Sequence, residues 1–241
     1  MTKKIDSKEY NIKKDFYDVL SNYPQVNDLI KYLEAKSNIL LFGGSVRDYD
    51  ENRFSIIPRD FDVVVDDLDE NLEEIILMFG LAPQKNKFDG YKIRMNNLKI
   101  DIWKIQDTWA FKHNKVVYNS KKDLNKTVFL NIDSIFYDLN EDKLIDERFV
   151  DIEKTDMIDI VLTSNPFPEL NLMRAFRFKY KYKLIFSNRL NEYLMNWIKN
   201  FENECEAINN LRKIELNRYN KSIIDWDKEL KELKELKEFI N

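Results

Sequence analysis

Apolar residues recur at helical spacing over the first part of the chain. Phe16, Tyr17, Val19 and Leu20 form one cluster and Val26, Leu29, Ile30 and Leu33 a second, with Pro24 between them. This predicts a short helix, a break at the proline, and a second helix ending near Ser37–Asn38. The pattern then changes. Ile39 to Phe42 is a continuous apolar run of strand length, and two adjacent glycines, Gly43 and Gly44, follow it. Residues 43–52 read as a sharp turn and a short helix, and residues 61–66, after Pro58, as a second strand. Leu72, Ile75, Ile76 and Phe79 make a helical stripe closed by Gly80. Residues 90–94 and 97–104 read as a hairpin turning near Asn96-Asn97, with Ile100 and Ile102 alternating with Asp101 and Trp103. Trp109 to Tyr118 fits helix or strand, and 121–126 is a polar connection. Val128 to Leu139 predicts an apolar helix containing Asp133, followed by short strands at Lys143–Asp146 and Phe149–Asp151.

The composition shifts around Thr163-Ser-Asn-Pro-Phe-Pro168, beyond which the chain has neither glycine nor proline. Leu170–Phe186, Leu190–Phe201 and Cys205–Tyr219 predict helices. In the tail, Leu230, Leu233, Leu236 and Phe239 lie three apart among Glu and Lys, which predicts a solvated docking helix with one narrow apolar seam. The expected organisation is a helical segment over 1–38, an α/β or α+β domain over 39–165, and an all-helical module over 166–241.

Composition narrows the function classes. At 241 residues the chain is one large domain or two small ones, and 44% hydrophobic residues suffice for a core. The formal net charge of −4 excludes a general polyanion binder, so any nucleic-acid surface must be local. A single cysteine, Cys205, reads as a small apolar helix residue; it excludes an intramolecular disulfide and fits a reducing compartment. No signal-peptide core or membrane-length apolar run is present, so the expected location is the cytoplasm, with no membrane partner. One histidine, His113, leaves no His/Cys zinc cluster and only one possible imidazole base. It reads as a surface residue. Chemistry must therefore come from carboxylates, basic side chains and a bound metal.

Several groups could supply it. Gly43-Gly44-Ser45 lets backbone N–H groups approach a phosphate closely, with the Ser45 hydroxyl as a further donor. Arg47 and Asp48 either pair with each other or serve the substrate. Asp60 and Asp62 lie two apart at a strand entry, so they project from one face and suit a hard cation such as Mg²⁺. Asp101, the one carboxylate of a strand that is apolar on its other face, would stand beside them if those strands were neighbours. Leu170 to Asn191 carries Arg174, Arg177, Lys179, Lys181, Lys183 and Arg189 with no acidic residue and interleaved aromatics. That composition suits phosphate contact and base stacking, or ion pairing with acidic groups of the first domain.

Together these residues resemble the head domain of the poly(A) polymerase and tRNA CCA-adding nucleotidyltransferases, in the polymerase β superfamily. Gly43-Gly-Ser-Val-Arg-Asp48 is similar to that family's Gly-Gly-x-Val-Arg-Asp motif, and Arg59-Asp-Phe-Asp62 to its basic-Asp-x-Asp motif. Lys99-Ile-Asp-Ile resembles the strand of the third carboxylate, Ile132 to Asp146 the segment closing the head, and Arg174-Ala-Phe-Arg-Phe178 the neck helix. The resemblance implies an α+β fold, a small mixed-sheet nucleotidyltransferase head domain followed by a helical neck. It also implies transfer of a nucleoside monophosphate from an NTP to a hydroxyl, with pyrophosphate released. Asp60, Asp62 and Asp101 would be catalytic and hold two Mg²⁺ ions. Gly43, Gly44, Ser45, Arg47 and Arg59 would bind the nucleotide, and Arg174, Arg177, Lys179 and Lys181 would contact RNA or phosphate. The family's Arg-Arg-Asp is replaced here by Thr127-Val-Phe129, and its base-reading positions fall on Pro168 and Asn171. The expected activity is a minimal nucleotidyltransferase acting on RNA, such as a tRNA 3′ end. A protein or small-molecule acceptor, and an NTP- or RNA-binding protein without turnover, are the alternatives.

Overall fold

The computed structural model describes residues 11–146, 152 and 155–240, with side chains through residue 235. The expected strand at Phe149–Asp151 and the side chains of Leu236 and Phe239 lie outside the described residues. The chain divides into two compact units: residues 1–125 with 135–146, and residues 126–134 with 147–241.

The first unit begins with α1 (Ile12–Leu20) and α2 (Pro24–Lys36). Ile12, Phe16 and Leu20 recur every four residues and are fully buried, as are Val26, Leu29, Ile30 and Leu33 on α2. Pro24 opens α2, where its missing N–H has no intrahelical partner to lose. Asn140 fastens the other end: its Nδ2 donates to the carbonyls of Glu34 and Ser37 at 2.9 and 3.0 Å, and its Oδ1 accepts from Ile39 N at 2.8 Å. These two helices join the sheet's core instead of standing as a separate segment.

The sheet is built from β1 (Asn38–Phe42), β2 (Phe61–Asp66), β3 (Gln84–Lys85), β4 (Tyr91–Met95), β5 (Leu98–Lys104), β6 (Phe136–Asp138) and β7 (Lys143–Ile145). Short helices α3 (Gly44–Arg47) and α4 (Tyr49–Asn52) follow β1; α5 (Leu72–Met78) follows β2, and α6 (Trp109–Lys112) follows β5. The spatial order is β3-β4-β5-β2-β1-β6-β7, with β2 and β5 parallel and the other neighbours antiparallel. The sheet is thus mixed, and the α+β class is observed.

Pairing sorts the residues to two faces. Ile39 lies opposite Val65 and Leu41 opposite Val63, whereas Leu40 meets Val64 and Phe42 meets Asp62. Phe61, Ile100 and Ile102 continue the first face, and all of these side chains are buried and apolar. Phe16 of α1 packs edge-on against Phe61 at 5.1 Å. Each such side chain contributes about 1.5–3 kcal/mol on burial, and Phe16→Ala would cost about 3–5 kcal/mol. The second face has a smaller core of Leu40, Val64, Ile105, Phe111, Leu124, Phe136 and Ile145. Beyond that core the same face turns acidic.

The segment Val128–Leu139 is not a helix. Leu130 forms an antiparallel bridge with Ile160, Asn131–Asp133 is one 3-10 turn, and β6 follows. Every residue from Phe129 to Leu139 is buried, so the apolar spacing had no exposed side to reveal its true period. The chain also passes from one unit to the other between Ser134 and Ile135, and a single helix could not serve both cores.

The second unit reaches back beyond the prolines at 166 and 168. Asn131 Nδ2 donates to Met157 O at 3.1 Å and its Oδ1 accepts from Asp159 N at 3.0 Å. β8 (Met157–Ile158) pairs in parallel with β9 (Ile185–Phe186). The rest is helical: α7 (Pro168–Tyr182), α8 (Asn188–Ile198), α9 (Glu204–Tyr219) and α10 (Trp226–Ile240). Ser187 and Asn203 cap α8 and α9 by accepting from Leu190 N and Glu206 N. Leu172, Met173, Phe176, Leu190, Leu194, Leu211 and Trp226 form the core, and the seam of α10 docks on it through Leu230 and Leu233. Cys205 is exposed at the start of α9.

Candidate active site

β1 ends at Phe42, opposite Asp62, and Gly43 must turn the chain there. Its φ of 67° and ψ of −124° belong to glycine alone, and its N–H donates to Ile135 O at 2.9 Å. A Cβ at Gly43 would lie 4.0 Å from Asp62 Oδ2, so the bare backbone and that carboxylate border one small space. Ser45, on the following turn, is 5% exposed, and its hydroxyl makes no hydrogen bond among the described residues. A buried hydroxyl left without a partner costs about 1–3 kcal/mol, which a ligand oxygen would relieve.

Asp62 lies directly beside Asp101 in the parallel β2–β5 ladder. The two half-buried carboxylates share one face. Each flanking carboxylate has its own cation: Arg59 Nη2 is 3.1 Å from Asp60 Oδ2, and Lys92 Nζ is 2.8 Å from Asp101 Oδ2. Among the described residues no three carboxylate, imidazole or thiol groups come close enough to hold one ion. Asp60 and Asp62 alone supply hard oxygen donors of the kind Mg²⁺ accepts alongside phosphate oxygens and water. With the open Gly43 backbone and the unpartnered Ser45 hydroxyl adjoining, these residues fit such an ion with its phosphate. Asp101 stands next to that pair, held by Lys92.

The remaining expected site residues lie elsewhere or are engaged. Arg47 is largely buried and grips Asp48 with Nε and Nη2 at 2.8 and 3.0 Å, its guanidinium folded back over Gly44. Arg59 is exposed and bound to Asp60. On α7, Arg174 Nη2 bonds Asp133 Oδ2 at 2.8 Å, Arg177 Nη1 bonds Glu215 Oε1 at 2.6 Å, and Lys179 Nζ bonds both oxygens of Glu229 at 2.8 Å. Lys181 lies over the Tyr182 ring. The basic run of this helix is therefore met mainly by carboxylates of its own unit. His113 is exposed beside Trp109.

Of three basic residues on the acidic face, Lys92 and Arg94 lie outside every motif, and Lys99 enters one only as the residue two before Asp101. Their signal was the Asn96-Asn97 turn: a two-residue loop places Arg94 opposite Lys99 and Lys92 opposite Asp101. At the other end of β2, Tyr118 donates to the buried Asp66 at 2.6 Å; burial first, then this contact, holds its phenol well above the usual range. No helix among the described residues is long and apolar enough to cross a membrane.

No family model and no curated protein matches the chain. Solved structures do. A tRNA-processing enzyme with CTP superposes at a TM-score of 0.56 and 21% identity, over 83% of this chain and 53% of that one. A tRNA-processing enzyme in an apo form gives 0.56 and 18%, over 97% and 57%. The Thermotoga maritima CCA-adding enzyme complexed with tRNA gives 0.53 and 20%, over 78% and 47%. The chain spans about half the length of the structures it matches. In fold, this protein is similar to the CCA-adding tRNA nucleotidyltransferases.

Proposed function

We propose that this chain is a nucleotidyltransferase that moves a nucleoside monophosphate from an NTP to a hydroxyl of RNA, in the manner of tRNA 3′-end processing. The observation carrying this reading is the registered pair Asp62–Asp101 bordering the Gly43–Ser45 turn. The fold, and the tRNA and nucleotide complexes named for its structural neighbours, support it.

Gly43 and Gly44 would admit the triphosphate to the backbone, and Ser45 Oγ would donate to one of its oxygens. A divalent cation held by Asp60 and Asp62 would neutralise phosphate charge and lower the barrier to displacement. Asp101, oriented by Lys92 Nζ, would accept the proton of the attacking hydroxyl. The new bond joins that oxygen to the α-phosphorus, the α–β bridge breaks, and pyrophosphate leaves on the glycine side. The test is transfer of label from each of the four α-labelled NTPs into RNA, with Mg²⁺ supplied. Wild-type protein should incorporate label, and Asp60→Ala, Asp62→Ala protein should not; equal incorporation by both would refute the assignment.

A second reading, nucleotide binding without turnover, is favoured by the Lys92 ammonium on Asp101, the group meant to take the proton. Calorimetric NTP binding with no product from RNA, protein or small-molecule acceptors would establish it.

A further inference from the structure

The β4–β5 hairpin continues the acidic face toward the edge of the sheet, and its outward positions there are basic. Arg94 stands directly opposite Lys99. Both are exposed, and neither side chain makes an ion pair or hydrogen bond among the described residues. Like charges facing each other across an antiparallel pair destabilise it. A chain of net charge −4 has carboxylates enough to relieve the clash, yet this pair faces none. Two cations kept face to face point to an anionic ligand.

Position specifies which anion. Across the sheet the order is the Gly43–Ser45 turn after β1, Asp62 on β2, Asp101 and Lys99 on β5, then Lys92 and Arg94 on β4. In-line displacement puts the attacking hydroxyl opposite the leaving pyrophosphate. With a triphosphate at the glycine turn, the attacking side is the hairpin side. Arg94 and Lys99 lie two residues, about 7 Å, along the strands from Lys92 and Asp101. The alternative basic surface, on α7, is largely occupied by Asp133, Glu215 and Glu229.

We propose that Arg94 and Lys99 bind the phosphodiester backbone of the RNA strand whose terminal hydroxyl is the acceptor. This rests on the nucleotidyl-transfer reading above. Arg94→Glu tests it with opposite signs, because it replaces a like-charge pair by an attractive one. A structural role would move stability and binding together. The full chain would be titrated against a fluorescently labelled single-stranded RNA at several salt concentrations, against MgATP by calorimetry, and by thermal unfolding. The expected result is RNA affinity weakened about tenfold or more, MgATP affinity unchanged, and a melting temperature equal to or above wild type. In Arg94→Gln, Lys99→Gln protein the slope of log K against log salt should fall by about 1.4, the value for two phosphate contacts on a single strand. Unchanged RNA affinity and slope would overturn the proposal, and so would loss of MgATP affinity in place of RNA affinity. Wild-type protein that binds nucleotide but not RNA overturns the pair's assignment and leaves nucleotidyl transfer standing. Wild-type protein that binds RNA through this pair but no nucleotide refutes transfer and leaves the RNA contact standing.

Discussion

In the helical unit Glu215 is fully buried and meets four donors: Arg177 Nη1 at 2.6 Å, Trp226 Nε1 at 2.9 Å, Ile223 N at 3.1 Å and the Ser222 hydroxyl. On the sheet, Arg94 faces Lys99, like charge against like charge, and neither side chain has an ion-pair partner among the described residues. The first arrangement is closed, because each oxygen of the Glu215 carboxylate accepts two hydrogen bonds from its own unit. The second raises the energy of the free protein and is lowered by ligands that bring opposite charge. Charge placed for stability and charge placed for chemistry can thus be told apart by how completely each group is matched within the chain.

The comparison breaks first at Glu215. Glu215→Ala removes the partner of a largely buried guanidinium, and breaking such a pair costs about 3–5 kcal/mol. Denaturant unfolding of the full chain should show that loss. A variant as stable as wild type would mean that the network is solvent-compensated and the contrast false.

Asp62→Asn should act in the opposite sense. The substitution keeps the side chain's size at a half-buried position, so activity should change far more than the melting temperature. Activity should fall by on the order of 10²–10³, about 3–4 kcal/mol of transition-state stabilisation. A destabilised but active variant would make Asp62 a structural residue and move the centre elsewhere.

Gly43→Ala lies between the two regimes. The space would admit the methyl, 4.0 Å from Asp62 Oδ2, but φ 67° and ψ −124° would not, at a strain of about 1–3 kcal/mol. Calorimetry should show weaker NTP binding together with a lower melting temperature. Weaker binding with unchanged stability would show that the backbone shape matters only to the ligand.

The same distinction explains how much could be read from the chain before its fold was known. Glycines after an apolar run, aspartates two apart at a strand entry, and a lone Asp among alternating isoleucines are local signals. Local geometry alone puts Gly43, Asp62 and Asp101 in play, and the β2–β5 register then joins them. Residues 128–139 were illegible for the opposite reason: burial on every side erased the period that separates helix from strand, and the true partner, Ile160, lies far along the chain. The basic run of α7 misled in the same way. Its counter-charges, Glu215 and Glu229, are 38 and 50 residues downstream of Arg177 and Lys179, and no spacing rule connects them. The Arg94–Lys99 pair is legible in principle, because a two-residue turn dictates its register, but no motif joins the two residues and only the unmatched charge singles them out.

The smallest effect tests the rim of the closed network. Glu232, 40% exposed, is the outer partner of Lys179 at 3.0 Å. Burial pushes its carboxyl upward, but the hydrogen bond and charge of Lys179, helped by Lys228, hold it below the usual range. A carboxylate with a lowered folded-state pKa contributes stability above its unfolded value, near 4.3, and loses it as the pH falls through the folded one. Solvent screening keeps the contribution below about 1 kcal/mol. Glu232→Gln protein should therefore melt slightly below wild type at pH 7, and the two curves should merge as the pH falls through the lowered folded-state value. Added salt should narrow the gap at neutral pH, because the pair is exposed. A gap that survived both acid and salt would show that Glu232 works through packing, and the matching of charge in this unit would then end at Glu229.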